Sequence, residues 1–231
     1  MPLITQHHFL EEMPLQSDSQ ALILGTIYPY ASQGTQSFLC QFFYGNKYSL
    51  WGLLKKAFPH LPIDAKEEIV CPHQAAEKIK NMLRLYHIAI SDTVKVAVRP
   101  DYKPSADHFL AGTQYHNELI QQIRQASALK TIFFTGKKVV DIFRSLYVQA
   151  MRKEGLYRSL LFPQSIGSGE IFTLQDTQYL RKELRCILLP SPSPSARRGK
   201  SRAFVASGWD NYQNWRLRFY RDAFERIFVD L

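Results

Sequence analysis

Cysteine is scarce in this chain of 231 residues: there are 3, Cys40, Cys71 and Cys186, far apart and with no CxxC pair. That argues against a disulfide framework or a cysteine zinc site and fits a reducing compartment. Long apolar runs are also absent. No stretch approaches the roughly 18 uninterrupted apolar residues of a spanning helix, so no membrane insertion is expected. The first residues, MPLITQHHFLEEMPLQ, lack a basic region followed by an apolar run, so secretion is not expected either. No GxGxxG fingerprint occurs, and Gly136-Lys137-Lys138 is too short for a phosphate-binding loop, which leaves kinase and NTPase readings without support. A hydrolase of the GxSxG type lacks its nucleophile elbow. Cys71-Pro72-His73 and His7-His8 are not spaced like a metal site, so no metal or other cofactor is expected, and a surface or capping role is assigned to these histidines.

What is present points to a folded domain. A content of 45% hydrophobic and 13% aromatic residues can bury a proper core. The length suits one domain over residues 1–231, with a lead-in at 1–18 and a hairpin or loop insertion at 152–182. A cytoplasmic monomer is expected.

Positive charge is in excess, Lys+Arg 29 against Asp+Glu 20, a formal +9. Such an excess favours polyanionic partners, although many basic proteins bind none specifically. Its distribution says more. From Ser195 to Arg221 lie Arg197, Arg198, Lys200, Arg202, Arg216, Arg218 and Arg221 against the single acid Asp210. That run reads as a solvated helix face with a loop, or as an edge that tracks phosphates.

Four short apolar runs read as buried strands: Ala21–Gly25, Ile88–Ser91, Thr131–Thr135 and Leu184–Leu189. Helical patterns fall between them at Ala75–Tyr86, Gln114–Ala126 and Lys138–Tyr147. A closing helix carries Trp209, Tyr212, Trp215, Phe219, Ala223 and Ile227 at spacings of three and four, read as its core face. Glu170–Gln175 reads as an edge strand of a hairpin. Strands alternating with helices predict an α/β fold of three layers, α/β/α, around a central, mainly parallel four-stranded sheet. Ligands of such sheets bind outside the carboxyl ends of the strands, here Gly25–Ser32, Ser91–Pro100, Thr135–Lys138 and Pro190–Arg202.

The strand ends carry suggestive residues. Gly25 closes a buried strand, which permits close backbone approach to a ligand, and Pro29 stiffens the loop behind Thr26. An aromatic stretch, Phe38 to Trp51, either fills the core, as Leu50, Trp51, Leu53 and Leu54 are expected to do, or stacks on a planar base. Pro190-Ser191-Pro192-Ser193-Pro194-Ser195 forms a stiff loop offering hydroxyls and amides to a phosphate backbone, followed at once by Arg197, Arg198, Lys200 and Arg202.

In this order the segments ALILGT, FFYGNKYSLW, IAISDTV, TIFFTGKK and LPSPSP, with His7-His8-Phe9-Leu10 before them, resemble the uracil-DNA glycosylase superfamily, closest to its hypoxanthine-DNA glycosylase-like branch. The resemblance spans most of the chain. It implies that fold, DNA as partner, and hydrolysis of the N-glycosidic bond of a deaminated or damaged base flipped from the helix, without a metal. Catalysis would then rest on positioning a water and stabilising an oxocarbenium-like sugar.

Carried over by residue, Pro29 and Tyr30 resemble the Pro-Tyr that follows the superfamily's water-positioning Asp or Asn. That position is Tyr28 here. The branch's Asn before the Trp corresponds to Tyr48, which leaves Asn46 as the nearby amide and Ser49 as the nearest small polar group. The final loop has no His where the best-known members carry one. Tyr28, Asn46 and Ser193 are therefore the candidate catalytic groups. Gly25, Thr26, Pro29, Tyr30, Phe43, Tyr44 and Asp92 are candidates for binding the base, with Phe43 or Tyr44 stacking on it. Asp92 falls where other members read the base. An ionised carboxylate only accepts hydrogen bonds, so it suits a base N–H and favours hypoxanthine over uracil; capping of the next segment is the equally simple alternative. Pro190, Ser191, Pro192, Pro194, Ser195, Arg197, Arg198, Lys200 and Arg202 are assigned to DNA contacts. The replaced Asp and Asn positions leave a second reading open, a non-catalytic member that binds DNA or a nucleotide.

Overall fold

A computed structural model describes residues 2–7, 9–27, 42–44, 50–63, 72–100, 110–156, 162–163, 166–192 and 202–228. Its strands are β1 (Pro2–Gln6), β2 (Ala21–Gly25), β3 (Ile88–Asp92), β4 (Val94–Pro100), β5 (Ala111–Tyr115), β6 (Thr131–Phe134), β7 (Ile171–Asp176) and β8 (Lys182–Leu188). Its helices are α1 (Leu50–Ala57), α2 (Pro72–Leu85), α3 (Leu119–Gln125), α4 (Lys137–Lys153), α5 (Arg202–Ala206) and α6 (Tyr212–Phe228).

The apolar runs pair side by side because both of their faces find cover. The main sheet has the order β3-β2-β6-β8-β7. Within it β3, β2, β6 and β8 are parallel, in the register Ala21 to Ile88, Ala21 to Thr131 and Thr131 to Arg185. Alternation sorts the side chains between the two faces. Ile23, Ile90, Phe133 and Ile187 join a core with residues of α1, α2 and α6, and Phe133 stacks on Phe224 at 4.1 Å between ring centres. Leu24, Ala89, Phe134 and Cys186 join the opposite core with residues of α3 and α4. Helices thus cover both faces of the sheet.

Two features differ from the four-stranded expectation. The sheet is five-stranded and mixed, because β7 adds antiparallel to β8 at the edge. Its alternating exposure suits an edge with one wet face. There is also a second sheet, three-stranded and antiparallel, in the order β1-β4-β5. Val94–Pro100, expected as a strand-end segment, is its central strand, and β5 (Ala111–Tyr115) takes the first residues of the helix expected over Gln114–Ala126, so α3 begins only at Leu119.

The second sheet grows out of the carboxyl end of the first. Thr93 N–H donates to Gly25 O at 2.9 Å and Val94 N–H to Thr26 O at 2.9 Å, so the β2–β3 ladder runs on into β4. β1 then pairs with β4, and His7 N–H donates to Lys95 O at 2.8 Å. The N-terminal residues are thereby carried to the strand ends where ligands of parallel sheets bind.

The closing helix is rotated from its expected orientation. Trp209 precedes α6 and is 45% exposed, whereas Trp215, Arg216, Tyr220, Ala223, Phe224 and Phe228 form the buried face. Among the described residues no helix is long and apolar enough to cross a membrane.

Candidate functional site

The in-register parallel strands bring Gly25, Asp92, Thr135 and Leu189 to one edge of the sheet. Each of these strand ends adds a different group.

Gly25 is enclosed. A Cβ placed on it would stand 2.0 Å from the Tyr44 hydroxyl and 2.1 Å from Asp92 Oδ1. Both polar groups therefore crowd the same point, and only a residue without a side chain fits beneath them. The Tyr44 hydroxyl is 2.8 Å from Thr135 Oγ1, and Thr135 in turn donates to Leu24 O at 3.2 Å. Tyr44 adopts φ 54°, a left-handed conformation that costs a non-glycine residue about 1–2 kcal/mol. Its ring is fixed from below, since the preceding residue Phe43 is buried and Phe43 O accepts the Trp51 indole N–H.

Asp92 is 2% exposed and its Oδ2 lies 2.8 Å from His7 Nε2. Phe9 N–H donates to His7 Nδ1 at 3.2 Å, which puts the ring proton on Nε2. His7 is thus the donor and Asp92 Oδ2 the acceptor, and Oδ1 faces Gly25 and Tyr44. A second buried histidine stands behind: His116 Nδ1 is 3.2 Å from Asp92 O and 3.3 Å from Ser91 Oγ. Burial pushes the His116 pKa down against the opposing pull of the Asp92 carbonyl, so the ring is neutral at neutral pH.

The loop after β8 is held by α6. Tyr220, fully buried, donates to Pro190 O at 2.9 Å, and Arg216 Nη1 donates to Ser191 O at 3.2 Å. Arg216 Nη2 also donates to Gln213 Oε1 at 2.6 Å. Ser168 donates to Leu189 O at 3.4 Å, and Gly169, at φ +91°, packs beneath Trp215, so the turn before β7 braces the same segment.

Set against the sequence reading, Gly25, Thr26, Tyr44 and Asp92 lie at this edge, with Pro190, Ser191 and Pro192 on the segment leaving it. Phe43 needs correction as a stacking surface: it has no exposed area, and its ring packs on His7, Phe42 and Phe9. The surface or capping role given to His7 is also overturned, since it is buried against Asp92. Arg216 likewise belongs to the interior instead of a phosphate-tracking edge. Tyr28, Pro29, Tyr30, Asn46, Ser49, Ser193, Pro194, Ser195, Arg197, Arg198 and Lys200 lie outside the described residues, and Arg202 is described only as the start of α5. His116 and Arg216 are not among the site residues proposed from the sequence; His7 enters there only within His7-His8-Phe9-Leu10, and Thr135 only as the first residue of the strand-end segment Thr135–Lys138.

Comparison with known proteins adds little. No protein-family profile matches the chain, and no curated protein does. Among solved structures the chain aligns with a "putative Uracil DNA glycosylase from Methanosarcina acetivorans" determined by solution NMR. The alignment has 17% sequence identity and a TM-score of 0.42, over 95% of this chain and 98% of that one. A likeness of that size assigns neither fold nor activity to this chain.

Proposed function

We propose that the protein is a DNA glycosylase-like enzyme that binds a deaminated or damaged base, uracil or hypoxanthine, flipped out of DNA, and hydrolyses its N-glycosidic bond. The observation that carries this reading is the meeting of Gly25, Tyr44, Asp92 and Thr135 at the carboxyl ends of the parallel strands. Three features suit base recognition there. The glycine lets the Tyr44 hydroxyl and the Asp92 carboxyl group close side by side over the strand end. The Tyr44 and Thr135 hydroxyls both donate and accept. The Asp92 carboxyl group, oriented by the His7 N–H, would accept from a base N–H, which suits hypoxanthine N1–H and not the uracil O4 edge. Pro190–Pro192, fixed by Tyr220 and Arg216, leads into the Arg- and Lys-rich stretch that would meet the phosphates. Tyr28, Asn46 and Ser193 remain the proposed catalytic groups, with Asn46 or Ser193 positioning the water that adds to the sugar C1′ as the bond to the base breaks.

A binding-only role is the second reading. Tyr28 stands where the resembled superfamily has its water-positioning Asp or Asn, and the Tyr44 hydroxyl fills the space over Gly25. Oligonucleotides carrying uracil, hypoxanthine or xanthine, single- and double-stranded, separate the two once alkali converts abasic sites to breaks. Excision by the wild type that is lost in Asn46→Ala supports the enzyme. No excision on any substrate, with salt-sensitive DNA binding intact, establishes the binding role.

A further inference from the structure

A cavity of about 620 Å³ lies at the opposite, amino-terminal edge of the main sheet, remote from Gly25 and Asp92. Its cationic lining comes from segments distant in sequence, Lys130 before β6, Arg185 in β8 and Arg226 in the last turn of α6, with His87 before β3 beside them. Among the described residues the lining contains no carboxylate, and no acid pairs with Lys130, Arg185 or Arg226. Asp18 is 3.1 Å from His87. Arg226 also complements the carbonyl end of α6, which accounts for one of the charges but not for their convergence. The remaining wall is partly apolar: besides Gln20 and Thr131 it holds Leu85, 62% exposed, and Tyr86, whose ring is set edge-on to Phe228 at 4.9 Å.

Cations with no acidic partner among the described residues, around a concave, partly apolar cavity of this volume, define the ligand chemistry. The size is that of a small-molecule site. The cations require an anion, and arginine and lysine together suit a phosphate. The exposed leucine and tyrosine wall requires an apolar or planar body attached to it. We propose that this cavity is a second binding site, for a small organic phosphate with a planar body, of the mononucleotide class. It is independent of whether the carboxyl-end site excises bases.

Isothermal titration with AMP, adenosine and inorganic phosphate, on the wild type and on Lys130→Gln/Arg185→Gln, tests it. Lys130 is exposed and Arg185 half-buried, and neither has an ion pair among the described residues, so the unliganded melting temperature should hold, and base excision, where present, should be unchanged. One AMP should bind per chain, at least tenfold tighter than adenosine and than phosphate, and the double variant should weaken AMP at least tenfold. The proposal is overturned if AMP does not bind at millimolar concentration or if the variant leaves its affinity unchanged. Phosphate binding as tightly as AMP also overturns it, because the apolar wall then contributes nothing. An oligothymidylate that loses affinity in the variant while AMP fails to bind would make the cavity part of a nucleic-acid track instead.

Discussion

His7 Nε2 donates to Asp92 Oδ2 at 2.8 Å across 85 positions of sequence, joining the residue after β1 to the end of β3, an edge strand of the main sheet. Neither side chain has appreciable contact with water, at 0% and 3% exposure. The bond fixes which carboxylate oxygen is left to face Gly25, so one histidine sets the polarity of the candidate pocket.

Removing that histidine takes a hydrogen-bond donor from a buried carboxyl group, an expected loss of about 1–3 kcal/mol. His7→Ala should therefore lower the thermal midpoint sharply, whereas Asp92→Asn, which still accepts from Nε2–H, should lose far less. Melting curves of the two variants decide it; equal losses would mean that the pair is not the stabilising unit.

Gly25→Ala forces a methyl into the space held by Tyr44 and Asp92. With Asp92 tied to His7, Tyr44 has to yield, giving up its bond to Thr135. The expected cost is about 1–3 kcal/mol, as for overpacked sites. Tyr44→Phe removes the oxygen that stands 2.0 Å from the new methyl, so its effect in the Gly25→Ala background should be smaller than in the wild type. Additive effects in this double-mutant cycle would show that the two residues do not compete for one space.

Tyr220→Phe deprives Pro190 O of its donor inside the protein, an expected loss of about 1–3 kcal/mol. Burial raises the Tyr220 pKa, so the hydroxyl keeps its proton and the bond persists at alkaline pH. Arg216→Gln should loosen the adjacent carbonyl of Ser191. If the segment is a DNA contact, both variants weaken DNA binding more than they change the salt slope, since neither removes a phosphate contact. A lowered slope for Arg216→Gln would instead place that guanidinium on the DNA.

The β7–β8 hairpin offers a pH test remote from the site. Burial raises the Asp176 pKa, but the Tyr147 hydroxyl and the N–H groups of Leu180, Tyr179 and Gln178 outweigh it and hold it below its ordinary 3.8. A depressed folded-state pKa stabilises above the unfolded value and is lost as pH falls through the folded one. Wild type should therefore exceed Asp176→Asn in stability at pH 6, with the gap closing below pH 4. A gap independent of pH would contradict this.

The central strands were legible because sheet residues covered on both faces leave continuous apolar runs such as ALILG and TIFF. The second sheet left no such trace. Ala111–Tyr115 is mostly exposed and reads AGTQY, with neither an apolar run nor an alternation, and β1 and β5 are defined by pairing with β4 instead of by composition. Gly25, Tyr44 and Asp92 could be proposed from their places after buried strands and in an aromatic stretch. His7, His116 and Arg216 could not, because their partners are carboxylates and carbonyls brought near only by the fold. Arg216 in particular counts as a surface residue in any helical pattern until the Ser191 carbonyl is seen beside it.

The most direct test is excision of hypoxanthine and uracil by the wild type and by Asp92→Asn, as a ratio on matched duplexes. The amide can keep the acceptor on His7 and turn an N–H donor toward Gly25, where the wild type offers an acceptor. If Asp92 reads the base, the hypoxanthine-to-uracil ratio should fall at least tenfold in the variant. An unchanged ratio from two active proteins, or no excision of either base by the wild type, would contradict base reading by Asp92 in a working glycosylase.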